Sequence, residues 1–282
     1  WFDSGSMPYA QWHYPFEKEE IFKRNFPADF ISEGVDQTRG WFFTLHAIAV
    51  MLFDSPAFKN VISTGLLLDK DGRKMSKRLG NAVDPFDTLA TYGADATRWY
   101  MIGNSMPWEN LRFDLKGVQD LTDFSYDSQI AVSERTELDQ WILSSLNSLK
   151  ADVQGYMDDY EPTRAIRAID NFVQELLSNW YVRLSRRRFW DGDKMAFQTL
   201  YECLEAVSIL MSPFAPFFAE KLYQDLTGGE KFDSVHIADF PKVEENVIDK
   251  KAEARMDMAR RITSLILSIR RKDKLKVRQP LA

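Results

Sequence analysis

Cysteine is nearly absent. Cys203 stands alone among 282 residues, so no disulfide forms within the chain and a cysteine-rich zinc site is excluded. Histidine is scarce too: His13, His46 and His236 are scattered along the sequence, and His236 reads as structural. Such thiol poverty fits a reducing, cytoplasmic compartment. No apolar run approaches the length that spans a bilayer, and Trp1–Pro15 lacks the form of a signal peptide. A surplus of positive charge is also missing. The formal net charge is −6, so the molecule as a whole is no basic glove for nucleic acid, and RNA contact must come from local patches. The chain opens on "WFDSGSMP" without an initiator methionine and reads as a fragment of something longer.

What is present divides into two patterns. Residues 1–118 alternate strand and helix signals, which favours a parallel sheet. "ADFISEG" (28–34) reads as a short strand. "DQTRGWFFTLHAIAVMLF" (36–53) carries apolar residues at helical spacing, with Asp36 suited to the N-cap. "VISTGLLLD" (61–69) reads as a second strand that breaks at "DKDG", and a helix is expected after Gly93. Residues 119–133 are polar and poorly periodic, a connector. Residues 134–282 show long helical periods over 137–160, 163–190, 194–226 and 254–272, the third broken by Pro213 and Pro216. In the last, Met258, Ile262, Leu265 and Ile269 form one apolar stripe with arginines elsewhere. The fold class is therefore α/β plus all-α: a parallel-sheet domain, then an α-helical bundle.

Three stretches carry chemistry. The first, "DKDGRKMSKRLGN" (69–81), gathers Lys70, Arg73, Lys74, Lys77 and Arg78 between Gly72 and Gly80. It is either a solvated loop or a mobile basic loop in which Lys74 and Lys77 reach one polyphosphate, placing cations where negative charge develops. The second, "EGVDQTRGWF" (33–42), runs from a strand end into a helix, a favoured ligand position in α/β sheets. Glu33 and Asp36 offer acceptors and Gln37 both a donor and an acceptor; the plainer reading is a capped helix start. The third, "LLSNWYVRLSRRRFWDGD" (176–193), interleaves aromatics with arginines and sets Arg183, Arg187 and Trp190 near one helical face. Those groups suit phosphates and unpaired bases, or else a packed bundle with a solvated rim.

"KMSKR" (74–78), in the setting "LLLDKDGRKMSKRLGN" followed by "YGADATRWY" (92–100), resembles the KMSKS signature loop of class I aminoacyl-tRNA synthetases. The other stretches resemble the isoleucyl branch of that family. The resemblance implies the C-terminal half of a Rossmann-like catalytic domain joined to an anticodon-binding bundle, acting in protein biosynthesis. It implies that Lys74 and Lys77 are catalytic, and that Lys74, Met75, Ser76 and Lys77 bind ATP. Glu33, Gly34, Asp36 and Gln37 would contact the aminoacyl-adenylate, while Trp1 and Trp41 would line an aliphatic side-chain pocket. Arg183, Arg187 and Trp190 would lie against tRNA. "SPFAPFFAEKLYQDL" (212–226) and "SVHIADFP" (234–241) resemble the same bundle and read as architecture. The implied substrates and partners are isoleucine, ATP with Mg2+, and tRNA. No zinc, no membrane and a monomer are expected.

The sequence also departs from the family. No HIGH-type motif occurs; the nearest string, "LHAIA" (45–49), lacks its second histidine and glycine. After "DLKGVQD" (114–120) the family continues into an aromatic-rich helix, whereas here the chain passes straight to "LTDFSYDS" (121–128). The isolated chain is thus expected to be inactive in amino-acid activation. A valyl enzyme and a non-catalytic tRNA-binding module are the alternatives.

Overall fold

The computed structural model describes residues 1–65, 68, 75, 83–104, 130–228 and 232–272. Lys74, Ser76 and Lys77, most of the 119–133 connector and the last ten positions lie outside the described residues. Contacts divide the chain into two compact units, one of residues 1–93 and 100–115, the other of residues 94–99 and 116–282.

The first unit opens with three short helices, α1 (Phe2–Gly5), α2 (Met7–Ala10) and α3 (Glu19–Asn25). Strands β1 (Ala28–Gly34) and β2 (Phe58–Thr64) then pair in parallel, Ala28 opposite Phe58 and Gly34 opposite Thr64. α4 (Trp41–Phe53) links them, so β1–α4–β2 is one strand–helix–strand unit. α4 buries Leu45 and Ala49 against Ala57, with Phe26, Ile31, Trp41 and Phe58 packed around them. α1 lies so close to α4 that a Cβ on Gly5 would stand 2.9 Å from both Ile48 Cδ1 and Thr44 Cβ. α5 (Pro85–Tyr92) starts at an Asp84 cap, whose Oδ1 accepts the Phe86 N–H at 2.7 Å.

Two expectations here need correction. Asp36 is not the N-cap of α4. Val35–Arg39 form a 3-10 turn, Gly40 holds the cap position, and the Gln37 side-chain oxygen accepts the Trp41 N–H at 3.2 Å. A side chain one turn upstream thus meets an orphan donor that the cap residue, a glycine, has no side chain to satisfy. β2 also sits earlier than its apolar run: it begins at Phe58, after Ala57 O has accepted the Ala28 N–H at 3.0 Å, and ends at Thr64.

The second unit is a helical bundle. Its bundle helices are α7 (Glu137–Asp158), α8 (Pro162–Asn171), α9 (Arg183–Trp190), α10 (Lys194–Met211), α11 (Pro216–Thr227) and α12 (Lys250–Lys272). The preceding helix, α6 (Ala94–Asn104), contributes residues 94–99 to this unit. The expected helix over 163–190 is continuous, but Phe172–Val182 adopt π geometry. The expected helix over 194–226 breaks between Met211 and Pro216, as Pro213 and Pro216 dictate. The break frees carbonyls. Arg98 donates from Nη2 to Pro213 O at 2.8 Å and from Nε to Phe214 O at 2.9 Å. The Asp95 carboxylate accepts the Phe218 N–H in the first turn of α11, a region of unmet donors. The apolar stripe of α12 is exposed: Met258, Ile262, Leu265 and Ile269 are between 48 and 63% accessible. α12 is anchored through its earlier turns, where Ser144 and Ser148 donate to Glu253 Oε1 at 2.6 and 2.7 Å and Trp180 Nε1 meets Met256 Sδ at 3.0 Å. None of the described helices is long and apolar enough to cross a membrane.

One polar cluster ties the bundle together. Asp139, wholly buried at the start of α7, forms a capping box with Thr136. Its two oxygens also accept Arg188 Nη1 and Nη2 at 2.8 and 2.7 Å, and the Tyr181 hydroxyl donates to it at 2.6 Å. Burial alone would raise the Asp139 pKa; the hydrogen bonds from Arg188, Tyr181 and Thr136 outweigh it and hold the carboxyl below its ordinary 3.8. A depressed carboxylate pKa stabilises the fold fully above the unfolded value, and that contribution is lost as pH falls through the folded value. Replacing Asp139 by Ala leaves Arg188 to Asp193 and Tyr181 to the long bond with Ala196 O, which is expected to cost about 1–3 kcal/mol in urea or thermal unfolding. Asp139→Asn should in addition flatten the loss of stability below about pH 4, and an unchanged acid limb would contradict the assignment.

Candidate functional site

The first candidate site is the carboxyl edge of the parallel sheet. In such sheets ligands bind beyond the strand ends, where loops converge and backbone N–H groups face outward. β1 ends at Gly34, followed at once by Val35–Arg39. Glu33 and Asp36 are exposed, and the Glu33 carboxylate accepts the Gly34 N–H at 3.2 Å. Gln37 Nε2 donates to Asp36 Oδ2 at 2.9 Å, so the amide bridges the acid to the start of α4. This edge allows no extra bulk. A Cβ on Gly34 would stand 2.5 Å from Asp36 Oδ1, and one on Gly40 would stand 2.9 Å from both Gln37 Oε1 and the Trp1 ring.

The two tryptophans close this edge from one side. The Trp1 ring, 74% exposed, stands over Gly40. Trp41 is half-buried and anchored, its indole N–H donating to Ser4 O at 2.9 Å. The structure thus brings Trp1, Gly34, Asp36, Gln37 and Trp41 to one end of the first unit. β2 ends on the same edge, since Thr64 pairs with Gly34. The basic stretch 69–81 follows β2 in sequence; of its expected ligand-binding residues only Met75, half-buried, lies among the described residues.

The second candidate is the outer face of α9. Arg183, Arg186 and Arg187 are exposed, as is Trp190 at 78%. Arg187 Nε lies 3.6 Å from Asp191 Oδ2, a solvated pair worth little energetically. The remaining aromatics of the motif turn inward. Tyr181 is wholly buried, Phe189 meets Phe197 edge-on at 5.2 Å, and Trp180 is half-buried. Arg188 leaves the basic set, because Asp139 and Asp193 hold its guanidinium and raise its pKa. The π turn before α9 was not foreseen, and neither was the inward Arg188. The only sequence signal for either is an Asp–Arg pairing across 49 positions, which no local pattern reveals. Gly40→Ala is expected to rotate the Trp1 ring out of contact and to cost about 1–3 kcal/mol of first-unit stability. The NMR signal of the Trp1 indole N–H checks it, and an unmoved signal would contradict the packing.

Comparison with known proteins gives the family. Residues 1–114 match the model of tRNA synthetases class I (I, L, M and V), and residues 139–282 match that of the anticodon-binding domain of tRNA ligase. An isoleucine–tRNA ligase of Cytophaga hutchinsonii is 55% identical over 312 aligned positions, covering all of this chain and 28% of the relative. One from Bacteroides fragilis is 54% identical and one from Clostridium tetani 46%, again across the whole chain. The chain therefore spans 27 to 30% of the length of these relatives. Among solved structures, LeuRS of Agrobacterium radiobacter in a ternary complex with tRNA and LeuAMS shares the fold at a TM-score of 0.68 and 20% identity, covering 88% of this chain and 33% of its own. Together, a class I synthetase model matched over residues 1–114 and an anticodon-binding model matched over residues 139–282 place the chain among the class I tRNA synthetases.

Proposed function

We propose that the chain is the adenylate-binding edge and anticodon-binding bundle of an isoleucyl-tRNA synthetase. The observation that supports this most is the parallel register that sets Gly34 beside Thr64, so that β1, which runs into the EGVDQ turn, and β2, which precedes KMSKR in sequence, end at one edge. In this reading the isoleucine carboxylate attacks the α-phosphorus of ATP and pyrophosphate leaves. The 3′-terminal adenosine hydroxyl of tRNA then attacks the acyl carbonyl and AMP leaves. No side chain acts as a covalent nucleophile. Magnesium enters with ATP on its phosphates, and no residue of this chain is assigned to it.

Each residue acts on a definable part of the substrates. Lys74 and Lys77 neutralise charge that grows on the phosphates as the bond to pyrophosphate breaks, while Met75 and Ser76 shape the loop around them. Glu33 and Asp36 accept from the ribose or the substrate ammonium. Gln37 fixes Asp36, and Gly34 keeps the backbone clear for the ligand. Trp1 and Trp41 wall an apolar side-chain pocket. Such a pocket separates isoleucine from valine by only one methylene, about 1–3 kcal/mol. Arg183, Arg187 and Trp190 present cations and a stacking ring to tRNA. The exposed α9 face also favours a second reading in which this chain alone serves as a non-catalytic tRNA-binding module.

Isoleucine-dependent ATP–pyrophosphate exchange by the complete synthetase that contains these residues tests the first reading. Lys77→Ala is expected to lower kcat by about 10²–10³-fold, the scale of removing one transition-state charge contact. Preference for valine would reassign the pocket, and undiminished exchange in a Lys74→Ala/Lys77→Ala double variant would remove the loop from the mechanism. For the bundle, Arg187→Ala should weaken tRNA binding by this chain and reduce the slope of log affinity against log salt by about one. An unchanged slope would take Arg187 off the RNA.

A further inference from the structure

Trp1 and Trp41 belong to separate elements, and one short turn ties them together. Trp1 precedes α1, and Trp41 opens α4. The turn that carries Trp1 is closed on itself. Trp1 O accepts the Gly5 N–H at 3.0 Å and the Ser4 hydroxyl at 3.0 Å. Phe2 O accepts the Ser6 N–H at 2.9 Å, and the Ser6 hydroxyl donates to Asp3 O at 2.8 Å. Bonded so closely, residues 1–6 shift together, and a displacement at Gly5 is carried to Ser4 and Trp1.

The turn is seated on the start of α4 through Trp1, Ser4 and Gly5. The Trp1 ring stands over Gly40, and Ser4 O accepts the Trp41 indole N–H at 2.9 Å. Gly5 is buried against Thr44 and Ile48, farther along α4. A Cβ there would stand 2.9 Å from both Thr44 Cβ and Ile48 Cδ1, and 3.0 Å from the Thr44 carbonyl carbon. Carbon atoms pack at about 3.5–4.0 Å, so any side chain at position 5 needs about half an ångström of extra room or more. α4 is poorly placed to supply it. The Thr44 hydroxyl donates to Gly40 O at 3.3 Å and to Trp41 O at 3.1 Å, which holds its Cβ in place, and Ile48 is buried in the core. The turn yields instead.

We propose, on the reading of Trp1 and Trp41 as pocket walls, that Gly5 is a specificity-determining positioning residue: its missing side chain sets how near the Trp1 turn lies to α4, and so the width of the slot between the two rings. Gly5 touches no reacting atom and acts through its neighbours. Ser4 is its partner, through the backbone carbonyl that fixes the Trp41 indole. A side chain at position 5 moves Trp1 away from α4 and stretches the Ser4–Trp41 bond. The widened slot loses contact with the β-branched chain of isoleucine and tolerates the γ-branched chain of leucine, which has the same number of carbons. One methylene fitted into an apolar pocket is worth about 10- to 200-fold in selectivity, so a sub-ångström displacement of one wall is enough to move it.

The test is isoleucine- and leucine-dependent ATP–pyrophosphate exchange by the complete synthetase that contains these residues, with Gly5→Ala introduced. The KM for isoleucine should rise about tenfold while kcat and the KM for ATP stay within about twofold, the signature of lost uniform binding. The ratio of kcat/KM for leucine to that for isoleucine should rise about tenfold. Gly5→Ala/Ile48→Val removes the Cδ1 contact and keeps that of Thr44. Its isoleucine KM should lie between those of Gly5→Ala and the unaltered enzyme, and it serves alone if Gly5→Ala does not fold. Trp1→Ala is the control on the pocket itself. An isoleucine KM unchanged by Trp1→Ala would remove the pocket reading and this proposal with it. A KM raised by Trp1→Ala but untouched in the folded Gly5 variants, with the leucine ratio also unmoved, would leave the pocket standing and overturn the role of Gly5. A fall in kcat at unchanged KM would make Gly5 a structural residue only and overturn that role as well.

Discussion

Parallel pairing of β1 with β2 is the constraint on which the functional site depends. A parallel strand must be reached by a crossover, and the crossover here is α4, packed through Leu45 and Ala49 onto Ala57 at the foot of β2. Once Ala28 faces Phe58, Gly34 must face Thr64, and two loops must start from one edge. The core sets the register, and the register sets Gly34 beside Thr64. Binding chemistry can therefore sit on loops while precision comes from the sheet.

The bundle solves a different problem. It holds Arg183, Arg186 and Arg187 outward while burying Tyr181 from the same stretch. Asp139 does much of this by fixing Arg188 and Tyr181 from below, so that one arginine becomes interior while Arg183, Arg186 and Arg187 stay in water. Residues Tyr181–Arg188 of the motif thus sort by contact rather than by residue type. The π geometry of Phe172–Val182 shifts the phase of the helix just before this face, a feature often found where a helix presents functional groups.

Legibility in the sequence followed the range of the forces involved. β1 matched "ADFISEG" residue for residue because its limits are set locally, by Pro27 before it and Gly34 at its end. The proline break after α10 was equally local. Asp36 was misplaced as a cap because its residue type suits that role, while the partner of the Trp41 N–H is Gln37, fixed by the 3-10 turn. Arg187 and Arg188 are neighbours of the same type, and only the distant Asp139 tells them apart. The stripe on α12 was legible as a pattern, but what a stripe packs against is a tertiary matter, and here it lies in water. In the candidate site, Gly34, Asp36, Gln37, Trp1 and Trp41 lie at one end of the first unit; Trp1 is placed by a distant glycine, Gly40, where a Cβ would stand 2.9 Å from its ring.

The central claim is that the Gly34–Gln37 turn and the KMSKR stretch grip one ligand across a shared edge. Lysine acetylation footprinting of the synthetase that contains these residues tests it directly, with a non-hydrolysable isoleucyl-adenylate analogue and pyrophosphate added or withheld. The account predicts that Lys74 and Lys77 lose reactivity together when the ligands bind, and that Gly34→Ala, by displacing Asp36, diminishes that protection. Equal labelling of both lysines with and without ligand would contradict it.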